Sequence, residues 1–194
     1  MSSWLRPVVL EAAGVRLEPV EERHLAPLCA TIAPDTFRYF TSGPEEPTPD
    51  ALARHIEARP ESPRVVFAVL DDKTGRALGS SSFYDVQEPH RGLEVGYTWF
   101  APEARGTRAN PASKLAMLEH AFETMGALRV QLKADERNLA SRAALARLGA
   151  VEEGRLRKHR RMPDGHMRTT VYFSVVDEDW PNVKQGLLVR LGTG

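Results

Sequence analysis

Residues 14–20, GVRLEPV, alternate apolar Val15 and Leu17 with polar Arg16 and Glu18, which predicts a first strand. The period then lengthens. From Glu21 to about Ile32, Leu25, Leu28 and Ile32 fall on one face of a helix. Thr48-Pro49-Asp50 opens a second, short helix carrying Leu52 and Ile56, and Pro49 suits its first turn. The run RVVFAVL from Arg64 reads as a buried strand. After the turn DDKTG, RALGSSSFYDV and GLEVGYTWF continue as strands, and such short connections imply an antiparallel meander. Leu115, Leu118, Phe122 and Met125 recur at three- and four-residue steps and predict a helix over 112–125. Asn110 is placed at its N-cap, Pro111 at its first position and Gly126 at its C-terminus. LRVQLKA alternates again as a strand. Asn138 caps a helix that runs to Leu148 and stops at Gly149. The remaining segment reads as two strands joined around Pro163-Asp164-Gly165. The order β-α-α-β-β-β-α-β-α-β-β is that of an α/β chain, a mixed α+β domain on one central sheet.

A length of 194 residues fits one domain, expected to span residues 1–194 with its core at about 14–183 and a C-terminal tail at 184–194. The Pro-rich stretch 41–50, TSGPEEPTPD, lies between two helical patterns and is read as a loop inside that domain. The 26 basic residues balance 26 acidic ones, so a surface that grips nucleic acid everywhere is excluded, and a local basic patch is not. Cys29 is the single cysteine, which rules out an intrachain disulfide and a Cys-rich zinc site and leads us to expect a reducing, cytoplasmic setting. The six histidines show no metal-ligand spacing, so no metal is expected. The N-terminal apolar run of four residues is too short for a signal sequence, and no stretch approaches the ~20 apolar residues of a membrane span.

Candidate chemistry concentrates where the strand GLEVGYTWF passes through APEARGTRANPASK into a helix. A strand, a short loop and a helix N-terminus present free backbone N–H groups and the positive end of the helix dipole to an anion. Arg105 and Arg108 add full charges, which suits a diphosphate. Any helix start shares these features, so they alone leave an ordinary loop equally open.

The order of elements, with LEVGYTWFAPEARG, LEHAFETMGALRVQLKAD, ERNLASRAALARLGAVEEGRLR and DGHMRTTVYFSVVDEDW, resembles the GCN5-related N-acetyltransferase (GNAT) superfamily, and most closely its RimJ/RimL-type branch. The resemblance spans roughly residues 14–183. It implies a GNAT-like fold, a mostly antiparallel sheet whose middle strands, GLEVGYTWF and LRVQLKA, splay to admit acetyl-CoA as co-substrate. Trp99 and Phe100 would border that slot. The family's phosphate loop maps onto Arg105, Gly106, Thr107, Arg108, Ala109 and Asn110. Arg108 departs from the small residue usual there, and a glycine at that place would allow close approach to the phosphates. By the same resemblance Asn138 would bond the pantetheine arm and Ser141 would stabilise or protonate the departing thiolate; read from the residues alone, both are ordinary helix-start residues.

Acetyl transfer to an amine needs the amine neutral, and a carboxylate serves as base. Glu94, on the strand bordering the thioester, is the candidate base, since burial there would favour proton uptake. Tyr97 would face the other side of a regular strand, and a bulge would bring both into the cleft. Tyr39 and Phe40 precede the Pro-rich loop, where family members build the acceptor pocket; lining the substrate site and packing beneath the loop are equal alternatives. The expected activity is transfer of acetyl to a primary amine, a small molecule or a protein N-terminus, by direct attack in a ternary complex. Two alternatives stand beside it. One is a non-catalytic acyl-CoA-binding regulator. The other is an RNA- or ribosome-binding protein using the basic segment 155–168, RLRKHRR with Arg168. No membrane partner is expected, and monomer and homodimer are both open.

Overall fold

The computed structural model of the chain describes residues 3–58 and 63–193. Among these, eight strands form one sheet in the order β1-β2-β3-β4-β5-β6-β8-β7. They are β1 (Leu10–Ala12), β2 (Val15–Pro19), β3 (Val65–Asp71), β4 (Ala77–Gln87), β5 (Gly92–Phe100), β6 (Arg129–Asp135), β7 (Val151–Arg161) and β8 (Met167–Val176). The helices are α1 (Glu22–Cys29), α2 (Pro49–Glu57), α3 (Ala109–Glu119), α4 (Leu139–Leu148) and α5 (Trp180–Leu191). Adjacent strands are antiparallel except β5 and β6, which run parallel.

The central strand β3 shows how the layers arise. Its residues 65–70 are all buried, and successive side chains point to opposite faces. Val65, Phe67 and Val69 join a large core with Leu115 and Leu118 of α3, Leu145 and Leu148 of α4, and Val183 and Leu187 of α5. Ala68 and Leu70 join a smaller core with Leu28 of α1, Leu52 of α2 and Trp99. One face of the sheet is therefore covered by α3, α4 and α5, the other by α1 and α2. On β6 and β8 the first face takes Val130, Leu132, Val171 and Phe173, while polar Gln131, Lys133, Tyr172 and Thr170 take the second.

Three local expectations change. Strand β1 precedes the expected first strand and joins it through Ala13-Gly14, both at positive φ. Helix α3 begins at Ala109, so Asn110 and Pro111 lie inside its first turn; the Thr107 hydroxyl accepts from the Ala109 N–H at 3.2 Å and starts the helix earlier. Proline is tolerated there because first-turn N–H groups have no partner within the helix. Residues 180–191 form α5, where a tail was expected to begin at 184; Trp180, Val183 and Leu187 are buried on the core. Gly194 lies outside the described residues.

Candidate functional site

Strands β5 and β6 pair only through Gly92↔Arg129, Leu93↔Val130 and Glu94↔Gln131. Beyond Glu94 they separate, while β6 stays paired with β8 as far as Asp135. A cleft of about 930 Å³ opens at the separation. On the β5 side a bulge widens it. Ser80 pairs with Trp99 and Ser82 with Gly96, so Tyr97 and Thr98 both stand opposite Ser81, and Tyr97 takes φ 50°. An extra residue in one strand leaves backbone groups outside the ladder and turns side chains to new directions.

The N-terminus of α3 stands at one side of the cleft, where Arg105, Gly106 and Asn110 line the wall. Gly106 has φ 74° and open space around it. The amides of Gly106, Arg108 and Asn110 make no hydrogen bond among the described residues. Free amides at a helix start fit a diphosphate. The arginines behave differently from expectation. The Arg105 guanidinium is committed to Asp35 at 2.9 Å, to the Thr36 hydroxyl and to the Phe100 carbonyl. The Arg108 side chain leans over the β1–β2 turn, 3.9 Å from where a Cβ on Gly14 would stand. The cleft wall does not include Thr107, Arg108 or Ala109, so of the expected loop only Arg105, Gly106 and Asn110 face the cleft.

Lys114, one turn further along α3, is a site residue that the sequence reading passed over. It is buried, and its Nζ donates to Thr98 Oγ1 at 2.9 Å and Ser81 Oγ at 3.3 Å. Burial pulls its pKa down to about 7. The available signal was positional: Lys114 occupies the apolar stripe of α3 with Leu118 and Ala121.

Glu94 is 1% exposed and does not itself line the cleft. It accepts from the Tyr84 hydroxyl, from Gln131 Nε2 at 3.0 Å and from Lys133 Nζ at 2.5 Å. Burial pulls Lys133 down, but the Glu94 charge more than offsets it, and the ammonium ends above its ordinary range. Burial and the same carboxylate push the Tyr84 phenol well above its usual value. Tyr84 does line the cleft, and its ring stands 5.0 Å from that of Tyr97. Gly96 makes this possible, since a Cβ there would lie 2.8 Å from Tyr84 Oη. The bulge brings Tyr97 into the cleft, as expected, while Glu94 reaches it through Tyr84.

At the mouth of β6, Asn138 caps α4 by accepting the Ser141 N–H at 3.0 Å, and both residues line the cleft. The cap uses the amide oxygen and leaves Nδ2 for a ligand. Trp99 and Phe100 also line the cleft, yet both side chains are buried in core, and Trp99 Nε1 donates to Thr31. Tyr39 and Phe40 line it from the opposite side. Phe40 packs against Phe37 as well. The basic run lies on β7, an exposed edge strand, where Arg155 pairs with Glu152 and Glu136. Arg168 stands across from Arg160 of that run, and both line the cleft wall, where Arg168 is half-buried. Among the described residues no group of His, Cys, Asp and Glu is placed to hold a metal, and no helix is long and apolar enough to cross a membrane.

This arrangement can be set beside known proteins. A profile of the "Acetyltransferase (GNAT) domain" matches residues 15–151. YdaF of Bacillus subtilis (strain 168), provisionally named a ribosomal N-acetyltransferase, is 31% identical over 110 residues, 57% of this chain and 59% of its own length. The match therefore spans about three fifths of that relative. A provisional acetyltransferase from T. thermophilus is 40% identical, covers 97% of this chain and 99% of its own, and superposes with a TM-score of 0.87. RimJ of Mycobacterium smegmatis, in complex with CoA-disulfide, shares the fold at TM-score 0.75 and 24% identity, over 96% and 94% of the two chains. The parted parallel strands, the bulge on β5 and two helix N-termini facing one cleft thus occur in a chain most of which matches one domain family, and the chain belongs to the GNAT acetyltransferases.

Proposed function

We propose that the protein is an acetyl-CoA-dependent N-acetyltransferase that moves an acetyl group to a primary amine by direct attack, with both reactants held in one cleft. The observation that carries this reading is the parting of β5 from β6 after Glu94, beside the free amides at the start of α3. The fold is one on which RimJ of M. smegmatis holds a CoA disulfide. The name of YdaF supports a ribosomal acceptor.

Acetyl-CoA would supply a thioester carbon open to attack. The Gly106 and Asn110 amides would hold the diphosphate, and Asn138 Nδ2 would donate to the pantetheine arm. A backbone N–H of the Tyr97–Trp99 bulge meets the negative charge that develops on the carbonyl oxygen. The amine gives a proton to Tyr84 Oη while Tyr84 passes its own to Glu94, so the carboxylate acts across one hydroxyl. Ser141 then donates to the departing thiolate. Orienting both reactants in one cleft removes the entropy cost of their encounter from the chemical step.

Two measurements on the purified chain test this. Calorimetric titration with acetyl-CoA should show saturable, one-to-one binding. Thiol release with a panel of primary amines should be amine-dependent, and Glu94→Gln should slow it about 100-fold with acetyl-CoA affinity little changed. Absence of acetyl-CoA binding at millimolar ligand overturns the reading. Binding with no amine-dependent release supports the non-catalytic alternative instead.

A further inference from the structure

The sheet face that carries Tyr84, Lys133 and Tyr172 continues along β8 to Thr170 and Arg168. Strand β8 has no bulge of its own against β6, so side chains two apart share a face, and all of these line the cleft. Thr170 is 1% exposed, and its hydroxyl has no hydrogen-bond partner in the protein. The Arg168 Nε is likewise buried without a partner, while the same guanidinium donates to the Tyr39 carbonyl at 3.3 Å. Polar groups buried in this state are costly unless a ligand completes them. The nearest carboxylate does not do so. Asp135 is taken by Arg137, through Nε at 3.1 Å, Nη2 at 2.9 Å and the backbone N–H at 2.9 Å.

Charge points the same way. Along this wall stand Arg64, Lys133, Arg160 and Arg168, against Asp85 and the already paired Asp135. Lys133 spends its charge on Glu94, and the Arg64 guanidinium lies over the Tyr97 ring at 5.1 Å. Burial pulls the Arg168 guanidinium below its ordinary value, with Asp135 opposing, so the group is desolvated and gains from an anion. A surplus of cations in a low-dielectric wall attracts a carboxylate, opposes a polycation, and favours the neutral form of a bound amine.

We propose that Arg168 and Thr170 form a carboxylate subsite at the acceptor end of the cleft, so that the preferred acceptor is an amine that carries a carboxylate close by. Arg168 would meet the carboxylate through Nε and one Nη, the paired geometry that guanidinium offers such groups, and the Thr170 hydroxyl would donate a third bond. The carboxylate has two sources: the α-carboxylate of a free amino acid, or an acidic side chain next to a peptide's N-terminus. The inference rests on the acetyltransferase reading and narrows its acceptor; polyamines and aminoglycosides become the disfavoured class.

The test pairs acceptors that differ by one carboxylate. Thiol release is measured with Ser-Asp-Ala-Ala amide against Ser-Asn-Ala-Ala amide, and with phenylalanine against phenylalaninamide, for the wild-type chain, Arg168→Lys, Arg168→Gln and Thr170→Val. The quantity compared is the ratio of variant to wild-type kcat/KM for each acceptor, in which differences in amine pKa cancel. We expect Arg168→Gln to lower that ratio at least tenfold more for the carboxylate-bearing member of one pair, with the pair that responds identifying the source. Arg168→Lys should recover part of the loss. Thr170→Val, which replaces an unpartnered hydroxyl by a methyl of similar size, should keep the fold and lower the ratio about threefold in the same sense. Equal ratios within both pairs overturn the subsite and leave acetyl transfer standing. If no amine releases thiol, the parent reading fails, and calorimetric binding of the two peptides in the presence of CoA decides the subsite separately. A Ser-Asp affinity that exceeds Ser-Asn and falls in Arg168→Gln supports it, and equal affinities overturn it.

Discussion

Lys114 places a cation where the period of α3 calls for an apolar side chain. Its two hydroxyl partners, Thr98 and Ser81, take two of the ammonium's three hydrogen atoms and bring no opposite charge. The folded-state pKa of about 7 lies below the unfolded value near 10.4, so the unfolded chain binds more protons between these two values. The penalty for burying the charge is complete below pH 7, declines as pH rises, and is gone above the unfolded pKa. Lys114→Met removes it. The variant should be the more stable by roughly 3 kcal/mol at pH 6.5, net of the lost hydrogen bonds, and the gap should close towards pH 10. Urea midpoints of the two proteins at pH 6.5, 8 and 9.5 check this, and a constant difference across the three would contradict it. Tyr84 is the converse case. Its phenol is held protonated by burial and by Glu94, so it can pass a proton on only by receiving another.

At the scale of elements, one residue often serves two purposes, and substitutions can separate them. Asn138 uses Oδ1 to cap α4 and leaves Nδ2 for the cleft. Asn138→Ala should cost about 1 kcal/mol of stability through the lost cap. Asn138→Asp keeps a capping oxygen, adds favourable charge at a helix start and removes the donor. Its thermal midpoint should stay near wild type while its acetyl-CoA affinity falls about tenfold, as in Asn138→Ala. Calorimetry and thermal melts on the two variants test the assignment; full acetyl-CoA affinity in both would remove Asn138 from the cofactor site. The loop before α3 makes a comparable division. Gly106 supplies a positive φ and the Thr107 hydroxyl takes up the Ala109 N–H, so neither needs a charged side chain to present backbone amides. That accounts for Arg108, whose side chain points towards Gly14 and leaves the loop's backbone face clear.

For the whole molecule, the sheet joins two cores that lie on opposite faces. Leu52 of α2 belongs to one with Trp99, and Leu187 of α5 to the other with Trp180. Alternate residues of β3 enter both, so loss of either core exposes the other. Leu52→Ala and Leu187→Ala should each cost about 2–4 kcal/mol and shift a single unfolding transition. Tryptophan fluorescence and far-UV circular dichroism should report the same midpoint in each variant. Separate midpoints would divide the chain into two folding units. Arg155 on β7 is neutralised by Glu152 and Glu136, and Arg168 has turned into the cleft, so the basic segment is weaker as an outer surface than its sequence suggests.

Local pattern by itself determined most of the elements and the site's outline. The strands β3 to β6, the caps Thr48 and Asn138 and the stop at Gly149 follow from period, capping chemistry and backbone freedom, which act over a few residues. The family likeness was legible for the same reason, as was the loop 105–110. Tertiary structure alone decided what depends on residues distant in the chain. The pairing of Arg105 with Asp35 spans 70 positions, and no local pattern signals it. Alternation could not say which face Glu94 takes, because the answer is set by Tyr84, Gln131 and Lys133 on two neighbouring strands. The period of α3 marks Lys114 as misplaced but not what it touches, and Arg168 reads as part of a basic segment until the fold turns it into the cleft, since desolvation and partnership belong to the assembled sheet and not to the sequence around each residue.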